Sequence, residues 1–373
     1  MQVTRAARLP RRLWLICASA ACLCGCLVLF GLWPLAAHAQ QPQRATLASA
    51  AARLTYIAPM SATSTVPEVV LADANGSHPQ MLGPGGPAIL SPNGKYVAAV
   101  TSPVSQTSHG SSLILYSIVT KGERARTLLR SSDQLTLVAW SPNSNDIAVI
   151  DGDALVVVPR DGAARTVARG GTGTAITGAS FAPNSKRLVY ALASSLLVSA
   201  PVNLWTVAAT GGASREITHD GFSQSPLWGP NGIVYARATS TNPAYQLWII
   251  EANGHDPVEL TRVAVDAPFS GLEPIAFSRN GKHLLANMIG QDTAQAWVVD
   301  LSSKNVLARE LGAPGTATIG NAISPNGKMI LLTNGYSSLS DDDFSGLSIE
   351  AVPWSGVSPT VLAAPGAFAS WGG

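Results

Sequence analysis

Leu135-Thr136-Leu137-Val138-Ala139-Trp140-Ser141-Pro142-Asn143-Ser144-Asn145-Asp146-Ile147-Ala148-Val149-Ile150 places two apolar runs around a polar turn. Each run is too short for a helix and rich in β-branched residues, the pattern of a buried strand. Between them, proline at the second turn position pre-sets φ near about −65°, and serine at the first bonds back to the backbone. A small fourth residue tolerates the positive φ that returns the chain antiparallel, so the segment reads as a hairpin.

The same turn occurs six times. The other copies are Ser91-Pro92-Asn93-Gly94, Ala182-Pro183-Asn184-Ser185, Gly229-Pro230-Asn231-Gly232, Ser278-Arg279-Asn280-Gly281 and Ser324-Pro325-Asn326-Gly327. Successive copies stand 50, 41, 47, 49 and 46 residues apart, a spacing that fits four-stranded blades rather than helical repeats. One copy has Arg279 in place of proline, which costs that turn rigidity.

A third and a fourth strand complete each unit. Asn203-Leu204-Trp205-Thr206-Val207, Gln246-Leu247-Trp248-Ile249-Ile250 and Gln295-Ala296-Trp297-Val298-Val299 each precede a small polar turn. Short polar-edged strands follow, as in Ser214-Arg215-Glu216-Ile217-Thr218 and Pro257-Val258-Glu259-Leu260-Thr261. Helical periodicity is absent after residue 53, so the chain is read as all-β, a single β-propeller of four-stranded blades over residues 53–373.

The two ends of this domain belong together. Residues 53–83 supply the last three strands of a blade and lack its first. Gly366-Ala367-Phe368-Ala369-Ser370-Trp371-Gly372 resembles a first strand with nothing after it. A shared blade made from both ends would fasten the ring and leave no open edge. Six internal blades plus this composite give seven; a six-bladed ring with a terminal extension is the alternative.

The units resemble the WD40-like repeats of the TolB type, whose pattern runs Trp-Ser-Pro-Asp-Gly, a strand, an aromatic-centred strand, and a short strand ending in Leu-Thr. Trp140-Ser141-Pro142-Asn143 and Phe277-Ser278-Arg279-Asn280-Gly281 match its start, and Glu259-Leu260-Thr261 and Glu216-Ile217-Thr218 its end. Asn stands where the family has Asp. The resemblance lies at the level of the repeat; no segment resembles the separate N-terminal domain of TolB. It implies a fold and an envelope binding partner.

Composition fits an exported domain. Charged residues are 12% of the chain, with a net charge of +2. Arg5, Arg8, Arg11 and Arg12 precede the domain, and without them 20 basic residues face 22 acidic ones. Nucleic-acid binding therefore has no electrostatic footprint. Residues 1–39 read as a signal peptide or membrane anchor: a basic start, an uncharged run from Leu13 to Ala37, then Ala37-His38-Ala39 as a cleavage signal before Gln40. The run is long enough to span a bilayer, so a retained transmembrane anchor is the alternative, and the arginines put the propeller outside the cytoplasm in both cases. Leu23-Cys24-Gly25-Cys26 resembles a lipobox, but apolar residues continue past it. All four cysteines (Cys17, Cys22, Cys24, Cys26) lie in this segment, so the exported domain has neither disulfide nor thiol chemistry. Residues 40–52, rich in Gln and Ala, read as a linker.

No catalytic constellation emerges. There is no Gly-x-Ser-x-Gly elbow, phosphate loop or dinucleotide fingerprint. His78, His109, His219, His255 and His283 are scattered without metal-ligand spacing. Asp341-Asp342-Asp343-Phe344 concentrates charge, yet calcium loops alternate ligands with spacers, so a solvated loop is the better reading and no cofactor is expected. Trp205, Trp248 and Trp297 recur at one strand position and read as core. The connections between second and third strands vary most: Pro59 to Pro67, Thr101 to Ser111, Ala193 to Val202, Ser240 to Tyr245, Ile289 to Gln295 and Tyr336 to Gly346. On a rigid scaffold such loops carry recognition, and His109, Tyr245, Asp341, Asp342, Asp343 and Phe344 are the expected partner-binding residues.

The function expected is a non-catalytic binding module for a protein, peptide or cell-envelope component, monomeric and acting through this loop face. One alternative is a propeller enzyme, lactonase-like or a quinoprotein, with Glu273 and Asn321 over the central channel. Another is a membrane-anchored sensor or scaffold.

Overall fold

A computed structural model describes residues 52–59, 67–101, 110–118, 125–197, 199–291, 293–302, 307–311, 316–335 and 346–372. These form seven four-stranded antiparallel sheets arranged as the blades of a propeller. The composite blade has the predicted origin: Ala367–Gly372 is its first strand, followed by Arg53–Pro59, Pro67–Asp73 and Gln80–Pro84. Leu54 pairs with Trp371 and Thr55 with Ser370. Counting it as blade one, the six turn-marked units are blades two to seven. The expected signal segment lies outside the described residues.

The second strand of each blade is mostly apolar through its middle because it faces a neighbouring blade on both sides. In blade three, Ile147 and Val149 pack with Ala98 and Val100 of blade two, whereas Ala148 and Ile150 pack with Leu188 and Tyr190 of blade four. This division repeats around the ring, so each blade-to-blade seam has its own core. Each buried Leu, Ile or Val there contributes about 1.5–3 kcal/mol. Trp205, Trp248 and Trp297 pack as partly buried members of these cores.

The turn chemistry explains why asparagine serves. Ser91 Oγ accepts from Tyr96 N at 3.0 Å and donates to Asn93 Oδ1 at 2.8 Å, which itself accepts from Lys95 N at 3.0 Å. The same bonds form around Ser278 and Ser324. The Gly229 copy is two residues tighter, with Gly229 paired directly to Gly232. Where serine replaces glycine, the hydroxyl ties blades together: Ser144 Oγ accepts from Asn93 N and Ser185 Oγ from Asn143 N, both at 3.1 Å. Ser144 has φ 61° and is 1% exposed. Ser144→Ala keeps the strained φ and takes the acceptor away from Asn93 N, so it should lower unfolding free energy by about 1 kcal/mol. Ser144→Gly should cost less, since it relieves φ while losing the bond. Urea denaturation of both variants checks the order.

Candidate recognition surface

Antiparallel blades send the second-to-third connections and the blade-to-blade connections to one face, and the short hairpin turns to the other. On the loop face the connection entering Gln246–Ile250 is fixed to the next blade. Tyr245 N donates to Ser270 O and Leu272 N to Tyr245 O, both at 2.9 Å, a parallel bridge centred on Gly271. Gly271 has φ 135°, and a Cβ there would stand 2.3 Å from Tyr245 O. Gln246 then locks the following connection: its Oε1 accepts from Val263 N at 3.0 Å and Thr261 Oγ1 at 3.1 Å, and its Nε2 donates to Val263 O at 3.0 Å.

Tyr245 thus stands beside the channel wall. Glu273, 4% exposed on the first strand of blade six (Phe269–Phe277), accepts from Gln224 Nε2 of blade five at 3.1 Å. Burial first, and then the Glu273 charge, push the Tyr245 hydroxyl above its ordinary range. Asn321 is the extra residue of a bulge in Thr318–Ile323, and its amide donates to Ile319 O at 3.0 Å and Thr333 Oγ1 at 2.9 Å. Glu273 thus meets Gln224 of the preceding blade, whereas Asn321 meets Ile319 and Thr333 of its own. Among the described residues no group of three His, Cys, Asp or Glu side chains is placed to hold a metal ion. No helix among them is long and apolar enough to cross a membrane.

Of the expected partner-binding residues, His109, Asp341, Asp342, Asp343 and Phe344 lie outside the described residues; Tyr245 is on the expected face. Three further side chains on that face are apolar and exposed: Leu196 at 66%, Leu197 at 73% and Phe222 at 46%. Their segments are joined, with Val202 N donating to Gly221 O at 3.0 Å and Ala238 N to Phe222 O at 3.2 Å. Asp220 Oδ1 accepts from Phe222 N at 2.9 Å and fixes that turn. The signal in the sequence was Leu196-Leu197-Val198, an apolar run inside the Ser-rich Ala193 to Val202 connection.

The protein is a closed seven-bladed β-propeller with an apolar group on its loop face. Solved propellers share the fold. TolB from Acinetobacter baumannii matches with a TM-score of 0.52 and 14% identity, over 85% of this chain and 82% of that one. The β-propeller domain of the Trilobed protease from Pyrococcus furiosus matches at 0.58 and 7% identity, over 83% and 94%; its velcro is described as open, whereas here the C-terminal strand closes the ring. A prolyl endopeptidase matches at 0.61 and 13% identity over 85% of this chain, which spans only 49% of that protein. No family model matches the sequence. Comparison with curated proteins gives no match.

Proposed function

We propose that this chain is an exported, non-catalytic binding module that docks a protein, peptide or other cell-envelope component on its loop face. The observation that carries this reading is the group of Leu196, Leu197 and Phe222, exposed on hydrogen-bonded loops of a rigid ring. Exposed large apolar side chains gathered on one face mark contact surfaces more often than scattered ones do. The likeness to TolB and the export signal read from residues 1–39 favour an extracytoplasmic setting and an envelope partner. The described residues form a self-contained ring, which supports a monomer.

Photo-crosslinking tests the proposal. A benzophenone side chain at position 197 should give a discrete adduct to an envelope component in whole cells, whereas one at Lys95 on the turn face should not. Leu196→Ser combined with Phe222→Ser should remove the adduct without lowering the melting temperature. Equal adducts from both faces, or none from position 197, would refute the docking face.

A further inference from the structure

The turn face holds a second feature, a cleft of about 690 Å³ between blades six and seven. Arg279, Asn280 and His283 border it on one side, Asn326, Lys328 and Trp354 on the other. This seam departs from the repeat. Arg279 stands where the other five turns have proline. Trp354 occupies the turn after the third strand, where blades four, five and six have Ala209, Ala252 and Leu301. Trp354 Nε1 donates to Gly327 O at 2.5 Å, and its ring lies 4.6 Å from that of His283 at 36°. Stacking across a seam is itself a packing device, since Arg160 lies 4.7 Å from the Tyr96 ring between blades two and three. What distinguishes blades six and seven is the pair of cations beside the stack.

The cleft is rich in donors because turn chemistry consumes its side-chain acceptors. Asn280 Oδ1 accepts from Ser278 Oγ at 2.8 Å and Lys282 N at 3.0 Å, and Asn326 Oδ1 accepts from Ser324 Oγ at 2.8 Å and Lys328 N at 3.0 Å. Both Asn Nδ2 groups are left as donors. Neither Arg279 nor Lys328 forms an ion pair among the described residues, and no carboxylate borders the cleft. Asp300, 3.7 Å from His283 Nδ1, is held by Ser302 N at 2.8 Å and Ser302 Oγ at 2.6 Å. Unpaired guanidinium and ammonium groups with amide donors favour an anion, and a planar guanidinium favours a carboxylate in a two-point contact.

We propose that this cleft binds an acidic peptide segment, its carboxylate on Arg279 and Lys328 and a neighbouring aromatic side chain against the Trp354–His283 stack. A phosphate alone would satisfy the cations and leave the aromatic surface unused. The site lies opposite the loop face and does not depend on what docks there.

The test is fluorescence anisotropy on the chain from Gln40 to Gly373 at low salt, with labelled Gly-Asp-Glu-Phe-Gly and the neutral Gly-Asn-Gln-Phe-Gly. The acidic peptide should bind and the neutral one should not. Arg279→Pro restores the residue the repeat otherwise uses, so the fold should persist while affinity falls about tenfold. Trp354→Leu, the residue of blade six at that place, should weaken this peptide but not Gly-Asp-Glu-Gly-Gly. Absent binding, equal binding of the neutral peptide, or an unchanged affinity in Arg279→Pro would overturn the proposal. Stronger displacement by inorganic phosphate or citrate than by unlabelled peptide would overturn it in favour of a small anion.

Discussion

Removal of residues 366–373 is expected to abolish cooperative folding. The lost strand buries Ala367, Ala369 and Trp371, which are 0%, 5% and 8% exposed. Its absence uncovers one edge of Arg53–Pro59 and the side of blade two on which Gly372 rests, against Leu90 and Ser91. An exposed apolar strand edge is also a template for aggregation. The single change Trp371→Ala should cost about 3–5 kcal/mol by leaving a cavity in the seam with blade seven. Trp371→Phe retains most of the volume and loses the Nε1 bond to Ala74 O at 3.3 Å, so about 1 kcal/mol is expected. Urea unfolding followed by Trp fluorescence reads all three. A truncated chain with an unchanged sharp transition would show that the closing strand contributes little.

Gly271→Ala should have the next largest effect, about 3 kcal/mol. Its φ of 135° lies in a region that alanine enters only at a cost of about 1–3 kcal/mol. The added Cβ would also stand 2.3–2.7 Å from the backbone of Tyr245, which cannot rotate away as a side chain can. The bridge between blades five and six should open, and amide exchange at Tyr245 and Leu272 should accelerate far beyond the rest of the ring. Gly327→Ala is the control. Its φ is 70° with nothing within 4 Å of the new Cβ, so only the conformational cost of about 1 kcal/mol is expected. Equal losses in the two variants would mean that the close approach to Tyr245 carries no energy.

The ring was legible because its signals are local and repeated. Each Ser-Pro-Asn turn states its own chemistry, and the spacing of the copies sets the unit length. The incomplete first unit and the orphan strand at Trp371 then call for one another. The channel wall was less legible. Register shifts in the first strands insert residues such as Asn321 and re-aim their neighbours, and an inserted residue leaves the apolar pattern nearly unchanged. Ser225 and Phe368, with φ of 50°, sit at equivalent irregularities that composition does not mark. Leu196 and Leu197 lie inside the Ala193 to Val202 connection that the sequence assigns to the loop face, but sequence alone does not say which apolar residues of a loop stay exposed. Arg279 read as a lost proline, because its role depends on Lys328 and Trp354 of the next blade, about fifty residues further along or more.

The closing strand also imposes an order of events. Blade one needs a strand that is synthesised last, while its other three strands emerge first and wait with an unpaired edge. Blades two to seven each hold contiguous sequence and form from local contacts, whereas the pairing of Leu54 with Trp371 joins positions 317 residues apart. Such a contact is slow to find and is made after the entropy of closing the whole chain has been spent. A chain interrupted anywhere before Ala367 therefore lacks the latch, and proofreading of completeness is built into the topology itself.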